Sequence, residues 1–424
     1  MLQFHVYAYP AYPGWHRITT FISAAPAGVP PRRTAITPRM LLAALCLLAC
    51  MGAARAQASL DAALKAEAQQ AGFPALAAAV VHEGRLMAAG AAGTRRIGTN
   101  TPVTRNDRFH IGSDTKAMTS LLAAMMVEGG KLQWDSTLAQ VFPELAAGMD
   151  DGVKRVTLSQ LLSHTSGLPS DDADFDALLA KAVLQPGNLD DQRYWMVQQV
   201  ATRPLAKEPG ASFAYSNLGY TLVGAMVERV GGKSWEELMV ERIFTPLRLT
   251  TAGMGPQATL GRIDAPLGHA MVDGKLKAML SGPQGDNPLI IGPAGTVHMS
   301  VLDFARWGGW MAGQGKRAPF LVKPETLKKI MTPVISMSAA STASTTVSGA
   351  AQYALGWGST KMAWTAYPVA FHGGSNGMNK AYIWVDTQRD AAVVVMTNVA
   401  TPNTDDVMQK MAGKIYGRYV AATR

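Results

Sequence analysis

The chain has 424 residues, of which 48% are hydrophobic and 16% charged. That composition suits a globular protein with a sizeable core and excludes an intrinsically disordered chain. The net charge of +9 does not argue for nucleic acid, because Arg17, Arg32, Arg33, Arg39 and Arg55 place +5 of it in residues 1–56, which carry no acid, and leave an ordinary +4 for the rest.

In chain order, the first segment reads as an export signal. Arg39 precedes the apolar run Met40–Cys50, which is short for a bilayer span, and Ala54-Arg55-Ala56 supplies a small-x-small cleavage pattern. The expected mature chain starts near Gln57, exported and periplasmic. Residues 1–39 read as neither a domain nor a good signal, so a start at Met40 fits as well. An uncleaved anchor is the alternative. Leu47-Leu48-Ala49-Cys50 also fits a lipoprotein box that would attach lipid at Cys50. Cys46 and Cys50 are the two cysteines, so the mature chain is expected to hold no disulfide, thiol nucleophile or cysteine metal site.

Residues 57–424 read as one domain. Helical spacing over Leu60–Gln70 is followed by strands at Ala75–Val81 and Arg85–Ala89 around the turn His82-Glu83-Gly84. Asp114–Glu128 reads as a helix, with Met118, Leu121, Leu122, Met125 and Met126 at the 3.6-residue period and Gly129-Gly130 as its stop. About residues 131–330 read as an inserted all-helical lobe. Ser336–Ala351 reads as a flexible Ser/Thr/Ala-rich loop. A hairpin of Ala381–Val385 and Ala391–Thr397 and a final helix over Asp405–Val420 complete the chain. The expected fold class is therefore α+β, an antiparallel sheet flanked by helices and built from both chain ends, with a cleft beside the helical lobe.

Three short elements carry chemistry. Ser113 opens the 114–128 helix, where free backbone N–H groups and the positive dipole end favour a developing oxyanion. Lys116 shares its face one turn on and, if neutral, can take the serine proton. The plainer reading is a capping serine with a surface lysine. In Tyr215-Ser216-Asn217 the phenol can relay a proton, and Asn217 can orient Lys116 and a substrate carbonyl. The plainer reading there is a loop tyrosine with Asn217 as N-cap. In His372-Gly373-Gly374-Ser375 the glycines allow close backbone approach and the Ser375 N–H can be a second oxyanion donor opposite Ser113. His372 can bond substrate or tune Tyr215, or belong to a structural glycine turn.

Other candidates fit less well. Gly373–Gly377 matches G-x-S-x-G, but a strand rather than a helix is expected after it and His372 is the last histidine. His164 is expected to hold its turn. The acidic run Asp171, Asp172, Asp174 and Asp176 reads as a solvated loop, and the remaining histidines lack metal-ligand spacing.

Taken together, S-x-x-K, Y-x-N and H-G-G resemble the serine β-lactamase and penicillin-binding protein superfamily, in the branch of class C β-lactamases, family VIII esterases, D-aminopeptidases and DD-peptidases. The phrases Leu161–Leu168, Tyr215–Tyr220, Gly292–Gly295 and Leu355–Gly358 extend the resemblance over about residues 60–420. It implies Ser113 as nucleophile, Lys116 as its base, Tyr215 as proton relay, and Asn217, His372, Gly373, Gly374 and Ser375 as substrate-binding. It implies an acyl-enzyme and no metal or cofactor. His372 and Gly373 replace the lysine and hydroxyl residue of the family's third element, so weak β-lactamase activity is expected and small ester, amide or D-residue peptide substrates are preferred. A class C-like β-lactamase and a penicillin-binding sensor without turnover are the alternatives. No nucleic acid or stable protein partner is inferred.

Overall fold

The computed structural model describes residues 58–422 apart from 281, 283, 284 and 338–350. The expected export signal, both cysteines and most of the Ser/Thr-rich stretch lie outside the described residues. No helix among the described residues is long and apolar enough to cross a membrane.

The strands in chain order are β1 (Ala58–Ser59), β2 (Ala75–His82), β3 (Arg85–Gly93), β4 (Arg108–His110), β5 (Gly253–Met254), β6 (His269–Val272), β7 (Lys275–Ala278), β8 (Val297–Ser300), β9 (Ile335–Ser336), β10 (Gln352–Tyr353), β11 (Gly358–Lys361), β12 (Pro368–Ser375), β13 (Lys380–Asp386) and β14 (Ala391–Thr397). Among the described residues nine of these form one sheet in the order β1-β3-β2-β14-β13-β12-β11-β10-β9. Every pairing in it is antiparallel except β1 with β3. The two ends of the chain thus meet at β2 and β14, as the α+β reading expects.

The central strands read as continuous apolar runs because helices cover both faces. Alternation decides which helix each residue meets. Ala78, Val80, Val393 and Val395 pack with Leu64 and Ala68 of the helix Asp61–Ala71 and with Met408, Met411 and Ile415 of the helix Thr404–Tyr416. Ala77, Ala79, Val394 and Met396 face the other way, into the larger core shared with Phe304 and Trp307 of the helix Val301–Ala312 and with Leu121 and Leu122 of the helix Thr115–Glu128.

The inserted region carries the helices Leu158–Leu162, Ala173–Ala182, Leu189–Ala201, Asn217–Gly231 and Trp235–Met239. Buried Arg193 ties three of them, donating to Glu228 at 2.6 and 2.9 Å and to Glu236 at 2.6 and 3.1 Å. The 131–330 stretch is not helical throughout, since β5 to β8 fall within it. β8 joins β4 and β5 in a small sheet, and β6 and β7 form a hairpin. The hairpin turns at Asp273-Gly274, both at positive φ (52° and 70°), a pairing whose geometry suits the strand twist.

Candidate active site

The segment Gly112–Asp114 forms a 3-10 turn, and the α-helix proper runs over Thr115–Glu128. Ser113 therefore sits on a tight turn ahead of the helix rather than capping it. One turn on, Lys116 is not at the surface as a plain helix reading would have it, but fully buried. Its Nζ donates to Ser113 Oγ at 3.0 Å, Asn217 Oδ1 at 2.6 Å and the Ala294 carbonyl at 2.7 Å. It also lies 4.7 Å from the Tyr215 ring centroid and 5.4 Å from that of Tyr220. Burial disfavours the ammonium form and brings the Lys116 pKa down to about 7, although Asp171 and Asp114 pull it upward.

Asn217 is the first residue of its helix, not the cap. Ser216 takes that place, its hydroxyl accepting the Gly219 N–H at 3.2 Å. This leaves the Asn217 amide free to meet Lys116. Asp171 accepts the Asn217 backbone N–H at 3.0 Å and also its side-chain Nδ2. Asp171 is thus part of the site and not only a solvated loop residue. Desolvation raises its pKa while the Asn217 bonds and Lys116 act against that.

Tyr215 is half-buried and faces the same space. Burial raises its phenol pKa well above the ordinary value, a hydrogen bond with Ser113 pulls the other way, and Asp171 and Asp114 add to the rise. A neutral phenol is suited to passing a proton on, not to removing one unaided. Behind it the His164 ring lies at 4.3 Å between centroids, and His164 Nδ1 accepts the Ser216 N–H at 3.1 Å. His164 so holds the Tyr215–Asn217 segment in place, itself at φ +59°.

The third element lies on β12, a strand where a glycine turn is the plainer sequence reading. Its two glycines permit a very close approach to the turn that carries Ser113. A Cβ on Gly374 would stand 1.9 Å from the Ile111 oxygen and 2.5 Å from the Ser113 nitrogen, and one on Gly112 would stand 2.3 Å from the Ser375 nitrogen. The Ser113 and Ser375 backbones are therefore immediate neighbours. His372 Nδ1 donates to the Gly373 carbonyl at 3.0 Å and Nε2 accepts from the Tyr353 hydroxyl at 2.9 Å, which fixes a neutral tautomer. Burial, with help from Lys116, pushes its pKa down to about 3.

Asp114 escapes sequence reasoning. It is fully buried, and neither carboxylate oxygen has a hydrogen-bond partner among the described residues. Desolvation raises its pKa well above the usual range, outweighing Lys116 and Lys380. A cavity of about 410 Å³ opens over these groups, lined by Ser113, Tyr215, Phe213, Tyr353, Phe371 and Ser375 among others. It has the size and mixed character of a small-molecule site.

The cavity thus brings a hydroxyl, a buried lysine whose pKa is lowered and a phenol together on this α+β frame, an arrangement suited to hydrolysis. The Beta-lactamase family model matches residues 60–417, and the chain belongs to that family. It is 28% identical over 337 residues to penicillin-binding protein 4 of Amycolatopsis lactamdurans, covering 77% of this chain and 82% of the relative. It is 33% identical to the lovastatin esterase of Penicillium rubens over 172 residues, 38% of this chain and 42% of that one. Among solved structures, the octameric penicillin-binding protein homologue from Pyrococcus abyssi superposes with TM-score 0.67 at 22% identity, covering 84% of this chain and 77% of its own. EstCE1, a hydrolase with promiscuous acyltransferase activity, also gives 0.67, at 18% identity, with 83% and 96% covered. The chain is thus a β-lactamase-related protein of hydrolase type.

Proposed function

We propose that the protein is a serine hydrolase that attacks ester or small amide carbonyls through an acyl-enzyme on Ser113. The observation that carries this reading is Lys116 Nζ, buried, at 3.0 Å from Ser113 Oγ, with a pKa near 7. In the neutral form Lys116 takes the Ser113 proton as Oγ bonds to the substrate carbonyl carbon. The Ser113 and Ser375 N–H groups receive the oxyanion. Tyr215 hands a proton to the leaving group as its bond to carbon breaks and takes in its place the proton held by Lys116, which restores the neutral amine. Water then attacks the acyl carbon and gives up a proton to the same pair, which returns it to Ser113 Oγ as the Oγ–acyl bond breaks and the acid leaves.

The preference among carbonyls rests on His372. Neutral and doubly hydrogen-bonded, it offers no fixed charge where the family's third element carries lysine. Lys380, which also lines the cavity, is paired with Asp405 at 2.6 Å. We therefore place uncharged esters, small amides and D-residue peptides blocked as C-terminal amides ahead of carboxylate-bearing β-lactams. Export to the periplasm, with or without lipid at Cys50, is part of the same proposal, resting on residues 39–56 alone.

A panel of p-nitrophenyl butyrate, a D-alanyl peptide amide and nitrocefin tests the preference, with Ser113→Ala as control. Ester or peptide turnover well above nitrocefin turnover, all lost in Ser113→Ala, is the expected result. Fast nitrocefin hydrolysis overturns the preference. Stoichiometric labelling of Ser113 without turnover would instead identify a sensor.

A further inference from the structure

The two donors of the oxyanion site come from segments far apart in the chain, and they function only if both aim at one point. We propose that Asp286, acting with His110, is the positioning pair that locks them in register. The inference rests on the acyl-enzyme reading of Ser113.

Asp286 reaches both arms. Its Oδ1 stands 2.9 Å from His110 Nε2 and accepts from Asn376 Nδ2 at 2.9 Å and from the Asn287 N–H at 2.8 Å. His110 Nδ1 accepts the Gly112 N–H at 3.0 Å, the residue before Ser113. That acceptor role leaves the ring proton on Nε2, which lies at ion-pair distance from Asp286 Oδ1 but makes no hydrogen bond among the described residues. On the other side Asn376 directly follows Ser375. Its Oδ1 accepts the Asn379 N–H at 3.0 Å and so shapes the turn that leaves β12. Neighbouring Asn287 donates through Nδ2 to the Gly295 carbonyl at 2.8 Å, one residue past the Ala294 carbonyl that receives Lys116. One short segment therefore ties together the nucleophile turn, the end of the oxyanion strand and the seat of the base.

Burial makes the link consequential. The His110 and Asp286 side chains are 0% and 3% exposed, and Asp286 Oδ2 is buried with no hydrogen-bond partner among the described residues. A carboxylate withdrawn from water depends on the partners it has, so removing its charge changes what they can hold. Neither residue lines the cavity over Ser113. Their effect passes through Gly112 and Asn376, and misplacing an oxyanion donor is costly even when substrate still binds.

The test is Asp286→Asn in the full chain, assayed with p-nitrophenyl butyrate and with phenylboronic acid, which forms a tetrahedral adduct on a reactive serine. The expected result is a kcat lower by roughly 10- to 100-fold with KM within about twofold, and boronate affinity lower by a similar factor as kcat. A purely structural role would lower the melting temperature without coupling kcat to boronate affinity. His110→Asn is expected to lower kcat alike, and the double variant to be no worse than the weaker single variant by more than about twofold, as for groups acting as one unit. Folded Asp286→Asn with kcat and boronate affinity within about twofold of the parent overturns the proposal, as does a loss confined to KM. Should Asp286→Asn fail to fold, Asn376→Ala cuts the same bridge at a half-buried residue and must show the same coupling, or the proposal falls. Activity surviving in Ser113→Ala would defeat the acyl-enzyme reading itself. Activity lost in Ser113→Ala but unchanged in Asp286→Asn defeats only this inference.

Discussion

A lysine takes a proton only when it is neutral. Burial holds Lys116 near 7, and Asp171 and Asp114 keep it from falling further. Below pH 7 the amine becomes protonated and cannot serve as base. For p-nitrophenyl butyrate, kcat/KM is expected to fall about tenfold per pH unit below roughly pH 6 and to level off near pH 8. A rate–pH profile of the folded enzyme checks this, and an acid limb centred near the ordinary lysine pKa would contradict it. The Ser113–Lys116 spacing was readable from the chain, because one helical turn is a local fact. The Asp171–Asn217 contact was not, because nothing in an acidic loop indicates which distant amide it will meet. The burial of Asp114 was equally hidden, since it depends on β12 closing over the turn.

At the level of elements, β12 lies against the turn that carries Ser113, and that contact requires glycine at 374. A Cβ there would meet the Ile111 oxygen at 1.9 Å and the Ser113 nitrogen at 2.5 Å, both backbone atoms that cannot rotate away. Gly374→Ala is expected to push strand and turn apart, lowering kcat/KM by at least roughly 100-fold while leaving most of the fold intact. Circular dichroism with steady-state kinetics measures both, and near-parental activity would show that the close approach is dispensable. The terminal hairpin β13–β14 was legible through its two apolar runs and the polar turn Asp386–Asp390 between them. β12 was not, because Gly373-Gly374 weakens the strand pattern and its stability comes from pairing with β11 and β13. The β6–β7 hairpin was missed although Asp273-Gly274 marks its turn, since each strand is only four residues long.

Across the described part of the molecule, burial lowers the pKa of four histidines, His164, His269, His298 and His372. Desolvation lowers the pKa of His372 to about 3, of His298 to about 4, and of His164 well below 6.5. In the unfolded chain each titrates near the ordinary value of about 6.5. Between that value and the folded ones the unfolded state binds more protons, so stability falls as pH drops below 6.5. Asp114, Asp171 and Glu228, whose folded pKa values are raised, work in the opposite direction and offset part of the loss. Each extra proton held by the unfolded chain removes about 1.4 kcal/mol for every pH unit of acidification. Urea unfolding is therefore expected to show lower stability at pH 4.5 than at pH 7. His298→Asn should flatten that slope, and equal stability at both pH values would contradict the account. The sheet built from both chain ends was legible because its strands are strongly apolar. The lobe's mixed character was not, because β5 and β8 are defined by pairing with each other and β4, not by their own sequence.

The account depends most directly on a covalent bond at Ser113. Acid quenching during p-nitrophenyl butyrate turnover, followed by peptide mass spectrometry, should find one butyryl group, carried by the peptide containing Ser113, and Ser113→Ala should carry none. Butyryl on another side chain, or undiminished turnover by Ser113→Ala, would contradict it.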